Sequence, residues 1–114
     1  MSSAYAPKRG DLVWLDFAPQ TGREQAGRRP ALVVSDDSYN SKVGLALVCP
    51  VTSREKGYPF EVKLPDAAGV AGVVLSDQVR SLDWRARRAA YIGSAGHPSL
   101  EEALGKIRAL LGDR

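Results

Sequence analysis

The side chains of this sequence that could do chemistry are charged, hydroxyl and amide groups expected at the ends of strands. They are Glu24, Arg29, Thr52, Ser53, Asp77 and Gln78. Arginine offers a forked, permanently charged donor to anionic oxygens, and a threonine hydroxyl adds a neutral hydrogen bond. Together such groups suit the binding of a phosphodiester and the neutralisation of charge that develops on it. Taken singly, each also has a structural interpretation, such as capping a turn or satisfying the backbone at a kink.

Glu24 and Arg29 fall in one segment, residues 22–30, around which the chain is organised. This segment separates the apolar runs 12–17 and 31–35, which predict two strands. Its two glycines would allow a ligand to approach the backbone, and its proline restricts φ before the second strand. We therefore expect Glu24 and Arg29 near one another at one end of a sheet. The alternative is a polar hairpin with a surface ion pair, which contributes little stability.

The composition is that of an ordinary globular chain with a modest basic excess. Its 114 residues carry a net charge of +3 and suffice for one domain. Arginines are concentrated at Arg23, Arg28 and Arg29 and again at Arg80, Arg85, Arg87 and Arg88. Such clustering favours polyanion binding, although a solvated basic face without a ligand explains it equally well. No membrane-spanning segment or secretory signal is visible, so we expect a cytoplasmic protein.

The residue inventory argues against metal and nucleotide cofactors. With one histidine and one cysteine, no His/Cys zinc site can be assembled, and no aspartate cluster has metal-ligand spacing. The chain also lacks a Gly-rich phosphate loop and a dinucleotide-binding fingerprint. We therefore expect no cofactor. Cys49 lies in the apolar run 45–49 and is expected to be a small buried hydrophobe rather than a catalytic thiol.

The pattern of apolar residues predicts a mainly β protein. Short strands are expected at residues 12–17, 31–35, 44–51, 58–64, 69–75, 77–82 and 89–93. Residues 36–41 are expected to form a turn or a short helix. Closely spaced strands without long helices between them favour a small antiparallel sheet or barrel. Trp14 and Phe17 are expected in its core, and Pro50 is expected to confine the end of the third strand to a sheet edge or a bulge.

The clearest helix is predicted at the C-terminus. Ser99 followed by Glu102 forms a capping-box pattern, which predicts that the helix begins there. Apolar residues then recur on one face at helical spacing: Leu100, Leu104, Ile107 and Leu111. This face is expected to pack against the sheet or against a second subunit.

Motifs spread in order along the chain carry a family resemblance. They are Gly10-Asp11-Leu12-Val13-Trp14, Glu24-Gln25-Ala26-Gly27-Arg28-Arg29-Pro30, Cys49-Pro50-Val51-Thr52-Ser53, Lys56-Gly57-Tyr58-Pro59-Phe60-Glu61-Val62, Ser76-Asp77-Gln78-Val79-Arg80-Ser81 and Trp84-Arg85-Ala86-Arg87. The chain closely resembles the MazF/PemK toxins of bacterial toxin–antitoxin systems. The match is colinear over nearly the whole chain, which makes it far more specific than any single motif.

The resemblance implies one endoribonuclease domain over residues 1–114, folded as a small SH3-like antiparallel β-barrel with a C-terminal α-helix and working as a homodimer. It also implies sequence-specific cleavage of single-stranded mRNA without ribosomes or metal ions. Attack of the ribose 2′-OH on the adjacent phosphate would leave a 2′,3′-cyclic phosphate and a 5′-OH. DNA lacks the 2′-OH and is therefore not expected to be cut.

The resemblance assigns the catalytic pair to Arg29 and Thr52, and some family members also require the glutamate that matches Glu24. Glu24 is the group expected to accept the 2′-OH proton. Further contacts to RNA are expected from Arg28, Ser53, Lys56, Asp77, Gln78, Arg80, Arg85 and Arg87. The family's antitoxin threads a largely acidic, disordered tail over the same groove, so inhibition would be competition for one electropositive surface.

Two other functions are compatible with a small basic barrel. One is a non-enzymatic toxin of the same fold that poisons DNA gyrase, as the CcdB toxins do, although the matches at Arg29 and Thr52 argue against it. The other is an RNA-binding barrel that binds without cutting, in which the catalytic constellation would be incidental. An assay of RNA cleavage in the presence of EDTA separates these functions.

Overall fold

The computed structural model describes residues 5–17 and 27–112. The strands of this part are β1 (Asp11–Phe17), β2 (Gly27–Val33), β3 (Leu45–Thr52), β4 (Glu61–Lys63), β5 (Val73–Leu75), β6 (Arg80–Asp83) and β7 (Ala90–Ser94). The helices are α1 (Asp37–Val43) and α2 (His97–Leu110), and a 3₁₀ turn covers Asp66–Ala68. The segment for which the sequence allowed a turn or a helix is thus helical. Within the described ranges, no helix has the length and hydropathy that a membrane-spanning segment requires.

The strands form an antiparallel sheet in the order β4-β5-β3-β2-β1-β7. β6 pairs with the first half of β3, from Leu45 to Val48, whereas β5 pairs with its last two residues, Val51 and Thr52. Pro50 therefore lies where β3 exchanges one partner strand for another. As expected for a proline, Pro50 is paired on one side only: Ala31 of β2 lies opposite it, and neither β5 nor β6 pairs with it. The mainly antiparallel sheet with a C-terminal helix agrees with the predicted fold class.

The central strands bury both of their faces, so the molecule has two apolar cores. The helix-side core, covered by α2, β4 and β5, includes Leu12, Leu32, Cys49, Val51, Val62, Val74 and Ala103. The opposite core includes Val13, Leu15, Phe17, Ala31, Val33, Val48, Leu82 and Trp84. Successive side chains of a strand point to opposite faces, so β1 contributes to both cores. Its dense apolar sequence follows from this arrangement.

Phe17 is buried as predicted, but the prediction for Trp14 is wrong. Trp14 is 37% exposed, although it lies on the same face of β1 as the fully buried Leu12. Its partners across the sheet are Pro30 of β2 and Ala90 of β7, neither of which belongs to the helix-side core. The elements that cover the helix-side face of the sheet do not extend over Trp14, so its side chain stays partly exposed.

β2 begins at Gly27, earlier than predicted, so residues 28–30 belong to the strand rather than to the preceding loop. Pro30 pairs with Trp14 of β1. Pairing between β2 and β3 begins only at Ala31, so Pro30 lies where β2 has an unpaired side, a position in which proline is tolerated. This extension places both arginines of the motif on a strand with a defined register.

The two strands predicted after β3 are shorter than expected, because turn residues interrupt them. The strand predicted at 58–64 is reduced to β4 by Gly57, which has a φ of 82°, and by the proline that follows Tyr58. The strand predicted at 69–75 is reduced to β5, since its first residues follow the 3₁₀ turn. The residues so released form loops beside the end of β3.

α2 begins earlier than the capping-box pattern predicts. Gly96 is its N-cap, and Pro98 lies in its first turn, where the missing proline N–H costs no helical hydrogen bond. Ser99 is consequently inside the helix rather than at its cap. Its hydroxyl donates to the carbonyl of Lys63 in β4 at 3.2 Å, so it joins α2 to the sheet.

α2 packs on the sheet through part of its predicted apolar face. Leu104 and Ile107 contact the helix-side core. Leu111 is 78% exposed, so the predicted face is wrong at this residue, which follows the last turn of the helix. The Nζ of Lys106 donates to the carbonyl of Glu61 at 3.0 Å, which adds a polar connection between α2 and β4.

Gly93→Ala should destabilise the fold by about 1–3 kcal/mol. A Cβ at Gly93 would lie 2.4 Å from the carbonyl oxygen of Ala68, and two backbone segments would have to separate to admit it. Gly105→Ala in α2 is the matched control, because nothing lies within 4 Å of its Cβ position and alanine favours a helix by about 1 kcal/mol over glycine. Urea unfolding should therefore move the two midpoints in opposite directions, and equal midpoints would contradict this packing.

Candidate active site

Arg29 and Thr52 stand at the ends of neighbouring strands. β2 and β3 are antiparallel, and Ala31 opposite Pro50 is the residue pair nearest to this end. Arg29 and Thr52 each lie two residues beyond this last pair, on the same side of it. Side chains alternate along a strand, so both lie on the face that carries Ala31. Arg29 and Thr52 are each partly buried, and the fold brings this guanidinium and this hydroxyl to one end of the sheet.

Thr52 borders a cavity of about 200 Å³, named here the Thr52 pocket. The pocket is lined by Thr52, Arg54, Lys56, Tyr58, Phe60, Glu61, Leu75, Asp77 and Gln78. Four predicted site residues thus meet in one place: Thr52, Lys56, Asp77 and Gln78. They come together because the segment after β3 and the turn between β5 and β6 form opposite walls of the pocket.

The hydroxyl of Thr52 is oriented by the chain that follows it. Its Oγ1 accepts a hydrogen bond from the backbone N–H of Arg54 at 3.1 Å. A hydroxyl that accepts in this way keeps its own proton for donation. Thr52 can therefore donate a neutral hydrogen bond to an anionic oxygen in the pocket.

The walls of the pocket are fixed by hydrogen bonds to the backbone. Buried Ser76 donates to the carbonyl of Phe60 through its N–H at 3.2 Å and also through its hydroxyl. The carboxylate of Glu61 accepts from the backbone N–H groups of Lys56 at 3.1 Å and Gly57 at 2.9 Å. The β3–β4 loop, residues 53–60, is thereby held to both neighbouring elements.

Arg80 adds a positive charge outside the lining of the Thr52 pocket. Two basic and two acidic side chains in the lining balance one another. Arg80, at the start of β6, has its guanidinium carbon 5.6 Å from the centre of the Phe17 ring. A cation–π contact of this kind contributes about 0.5–1 kcal/mol and orients the guanidinium. The guanidinium of Arg80 is thus held at the start of β6 by the ring of Phe17.

Arg28, predicted to contact RNA, is held by Asp16. Arg28 Nη1 lies 2.9 Å from Asp16 Oδ1, and Arg88 Nε lies 2.6 Å from Asp16 Oδ2. Arg28 Nη2 donates to the Arg88 carbonyl at 2.5 Å, and Arg87 Nη1 donates to the Asp16 carbonyl at 3.1 Å. These four residues are named the Asp16 cluster. The hydrogen bond from Arg88, followed by that from Arg28, lowers the pKa of Asp16 to about 2.

Asp16→Asn should reduce stability at neutral pH, and its difference from wild type should shrink as the pH falls and disappear only below about pH 2. The pKa of Asp16 is about 2 in the folded protein against an ordinary 3.8. The carboxylate therefore stabilises the fold above its ordinary pKa, and this contribution is lost as the pH falls through the lower value. Urea unfolding of both proteins from about pH 5 to about pH 1 covers the transition.

Arg88→Gln provides the control for Asp16→Asn. This substitution removes the partner that lowers the pKa of Asp16 most. The stability of Arg88→Gln should therefore approach that of wild type as the pH falls. The double variant should lose less than the sum of the single losses, because both substitutions break one interaction. A stability difference between wild type and Asp16→Asn that does not change with pH would contradict the assigned ion pairs.

Two other predicted residues, Ser53 and Arg85, do not line the Thr52 pocket. Ser53 borders a neighbouring cavity of about 620 Å³ next to the 3₁₀ turn. Arg85 packs over the ring of Trp84 at 5.1 Å and lines a cleft at the start of β3. No residue of this cleft lines the Thr52 pocket. Glu24 lies outside the described residues.

The sequence did not indicate several residues that the structure places at the site. They are Arg54, Tyr58, Phe60, Glu61 and Leu75 in the pocket, and Asp16 and Arg88 beside Arg28. The alternation at 58–64 predicted a strand, whereas Gly57 and Pro59 on either side of Tyr58 were the available signal for a turn. Arg88 has a positive φ of 56°, which no local pattern indicated.

The described residues contain no group of three His, Cys, Asp or Glu side chains that could hold a metal ion. Cys49 is fully buried, so the prediction of a buried hydrophobe is confirmed. Burial, with a smaller effect of the Asp77 charge, raises the pKa of the Cys49 thiol to about 12. Such a thiol stays protonated at neutral pH and is a poor nucleophile.

Comparison with known proteins gives a consistent result over the length of the chain. Residues 8–111 match the model of a family described as PemK-like, MazF-like toxin of type II toxin–antitoxin system. The chain is 48% identical over 112 residues to the endoribonuclease toxin MazF of Escherichia coli strain K12, covering 98% of this chain and 100% of that protein. It is 43% identical over 111 residues to the endoribonuclease toxin ChpB of the same organism, covering 91% and 93% of the two chains.

Solved structures share the fold. A chain in the crystal structure of MazE–MazF from Deinococcus radiodurans matches with a TM-score of 0.88 and 59% identity, covering 96% of this chain and 98% of that one. MazF from the same organism, crystallised in another form, matches with a TM-score of 0.88 over 96% and 99% of the two chains, also at 59% identity. The predicted fold class, a mainly antiparallel barrel-like sheet with a C-terminal helix, is confirmed.

Proposed function

The chain belongs to the PemK-like, MazF-like toxin family of type II toxin–antitoxin systems and is an endoribonuclease, and we propose that it cuts single-stranded mRNA at a short sequence without ribosomes or metal ions. The proposal is supported above all by the position of Arg29 and Thr52, which come from different strands and reach the same end of the sheet. A cationic fork and a hydroxyl donor at one end of a sheet suit a phosphodiester with charge developing on its oxygens.

The proposed reaction is a transesterification within the substrate. The ribose 2′ oxygen forms a bond to the adjacent phosphorus, and the bond from phosphorus to the 5′ oxygen breaks. The 2′-OH proton passes to a base, and a proton is supplied to the departing 5′ oxygen. The products are a 2′,3′-cyclic phosphate and a 5′-OH. Nucleophile and electrophile both belong to the RNA, so the step needs no cofactor.

Each catalytic residue has a separate task in this proposal. Arg29 binds the non-bridging phosphate oxygens, where a forked and permanently charged donor is most effective. Thr52 adds a hydrogen bond from its oriented hydroxyl. Glu24 accepts the 2′-OH proton. Glu24 belongs to the connection between Phe17 and Gly27, and these two residues pair at the start of β2, so the connection leaves and rejoins the sheet next to Arg28 and Arg29.

The proposed partners follow from charge and strand accessibility. Single-stranded RNA is preferred, because its bases can be splayed into pockets, whereas duplex RNA and DNA are not cut. A cognate antitoxin with an acidic, disordered tail inhibits by occupying the same surface beside Arg29 and Arg80. The relatives from Deinococcus radiodurans crystallised as MazE–MazF complexes support such a partner. We further propose a homodimer acting in the cytoplasm, and sedimentation velocity tests the dimer.

Incubation of the purified protein with a long single-stranded transcript in EDTA tests the proposed function. Fragments that end in a 2′,3′-cyclic phosphate and begin with a 5′-OH are expected, and an Arg29→Ala preparation should leave the transcript intact. RNA that is bound but not cut would overturn the proposal in favour of a binding barrel. Intact RNA together with inhibited DNA gyrase would overturn it in favour of a gyrase poison.

A further inference from the structure

Tyr58 differs from the other apolar residues of the Thr52 pocket because it is largely exposed to solvent. It is 59% exposed, and the ammonium of Lys56 lies 5.9 Å from the ring centre. Single exposed aromatic residues are normal on protein surfaces. Tyr58, however, borders the same pocket as the hydroxyl of Thr52. A flat, accessible ring beside a cation is the arrangement on which a nucleic-acid base stacks while its phosphate meets the charge.

The backbone around Tyr58 is held in one conformation. Gly57, before it, has a φ of 82°, and Pro59, after it, restricts Tyr58 to an extended conformation. The carboxylate of Glu61 accepts from the N–H groups of Lys56 and Gly57 at 3.1 and 2.9 Å. The N–H of Glu61 donates back to the Tyr58 carbonyl at 3.1 Å. One residue thus closes the turn that presents the ring.

Glu61 is itself anchored from the far side of the turn. Its carbonyl accepts from the Nζ of Lys106 in α2 at 3.0 Å, and the preceding carbonyl, that of Phe60, accepts from Ser76. The Glu61 carboxylate is occupied by backbone donors, so its role is to shape the loop rather than to transfer a proton. Because the turn is ordered before RNA arrives, binding costs little conformational entropy.

We propose that Tyr58 is the platform on which a base next to the scissile phosphate stacks, and that Glu61 is the positioning residue that holds this platform beside Thr52. This inference rests on the proposed RNA cleavage and deepens it. It makes the β3–β4 loop a determinant of sequence choice. The base on the platform contributes binding, whereas Arg29 and Thr52 act on the phosphate.

Tyr58→Ala should raise KM about 10-fold on a short RNA centred on a mapped cut, because base–aromatic stacking is lost, while kcat is unchanged. Tyr58→Phe keeps the ring and should resemble wild type. Tyr91→Ala is the matched control, since Tyr91 is 55% exposed but belongs to β7, separated from β3 by β2 and β1. It should leave KM unchanged. An unchanged KM in Tyr58→Ala would overturn the stacking assignment.

Glu61→Ala should raise KM to the same extent as Tyr58→Ala, and the double variant should be no worse than either. Glu61→Gln keeps one acceptor oxygen and should recover most of the affinity. Cleavage maps on long transcripts should show added cut sites in Tyr58→Ala and Glu61→Ala. A purely structural role would lower the folded, active fraction without raising KM or changing the map, and that result would overturn the role of Glu61.

A binding measurement separates this inference from the proposed chemistry. An RNA with a 2′-deoxy nucleotide at the cut and 2-aminopurine beside it should bind without being cleaved. Its fluorescence should be quenched on binding to wild type, but not on saturation of Tyr58→Ala. Quenching that persists in Tyr58→Ala would contradict the platform even if cleavage proceeds as proposed. Failure of wild type to cut unmodified RNA would instead contradict the proposed function.

Discussion

Arg29→Ala should lower kcat/KM on single-stranded RNA by roughly 10³-fold or more. In the proposed reaction, Arg29 provides a forked charge to the phosphate as negative charge develops on its oxygens. Arg29→Lys should lie between wild type and alanine, because a lysine keeps a charge but loses the two parallel donors. Thr52→Val should be less damaging than Arg29→Ala, since a neutral hydrogen bond contributes less than a charged one.

Single-turnover cleavage with enzyme in excess measures the Arg29 effect without interference from product release. Arg108→Ala is the matched control: Arg108 is an exposed arginine near the end of α2 and its loss should leave the rate unchanged. Urea unfolding should confirm that Arg29→Ala remains folded, since Arg29 is partly buried. A folded Arg29→Ala enzyme that cuts as fast as wild type would remove Arg29 from the chemistry.

A single 2′-deoxy substitution on the 5′ side of the cut should abolish cleavage at that position. The substitution removes one oxygen, which is the nucleophile of the proposed reaction, and leaves the phosphate and all bases in place. Binding should therefore be retained, and the modified RNA should act as a competitive inhibitor of cleavage of the unmodified one. Gel analysis of matched oligonucleotides, each deoxy at one position only, gives the comparison.

Deoxy substitution at positions away from the cut is the internal control for this experiment. Those RNAs should be cut at nearly the wild-type rate, because their reacting 2′-OH is intact. Cleavage at the substituted position would show that the nucleophile comes from water or from the protein. The cyclic phosphate product would then be absent as well, so end-group analysis provides an independent reading of the same result.

Local pattern was sufficient for much of the fold. The apolar runs separated by glycine and proline located all seven described strands approximately, and the spacing of Leu104 and Ile107 identified the face of α2 that packs on the sheet. These features could be predicted because they depend on the backbone preferences of neighbouring residues and on the burial of apolar side chains. The burial of Cys49 follows from its apolar run for the same reason.

Where local pattern failed, a partner distant in sequence decided the outcome. Ser99 is a good N-cap in isolation, yet α2 begins before it and Ser99 bonds to Lys63. Trp14 has an apolar pattern, yet the cover of the helix-side core ends before it. A capping or burial preference contributes about 1–3 kcal/mol, so packing between elements readily overrides it.

By itself, the sequence determined the inventory of the site: a permanently charged fork at Arg29, a hydroxyl at Thr52 and an excess of arginine. Tertiary structure alone decided which of these groups meet. The antiparallel pairing of β2 and β3 brings Arg29 and Thr52 to one end of the sheet, Asp16 forms an ion pair with Arg28, and Glu61 closes the turn that presents Tyr58. The register of paired strands depends on hydrogen bonds between residues far apart in sequence, and the closure of a turn depends on hydrogen bonds across a loop. Neither can be read from the properties of a single residue.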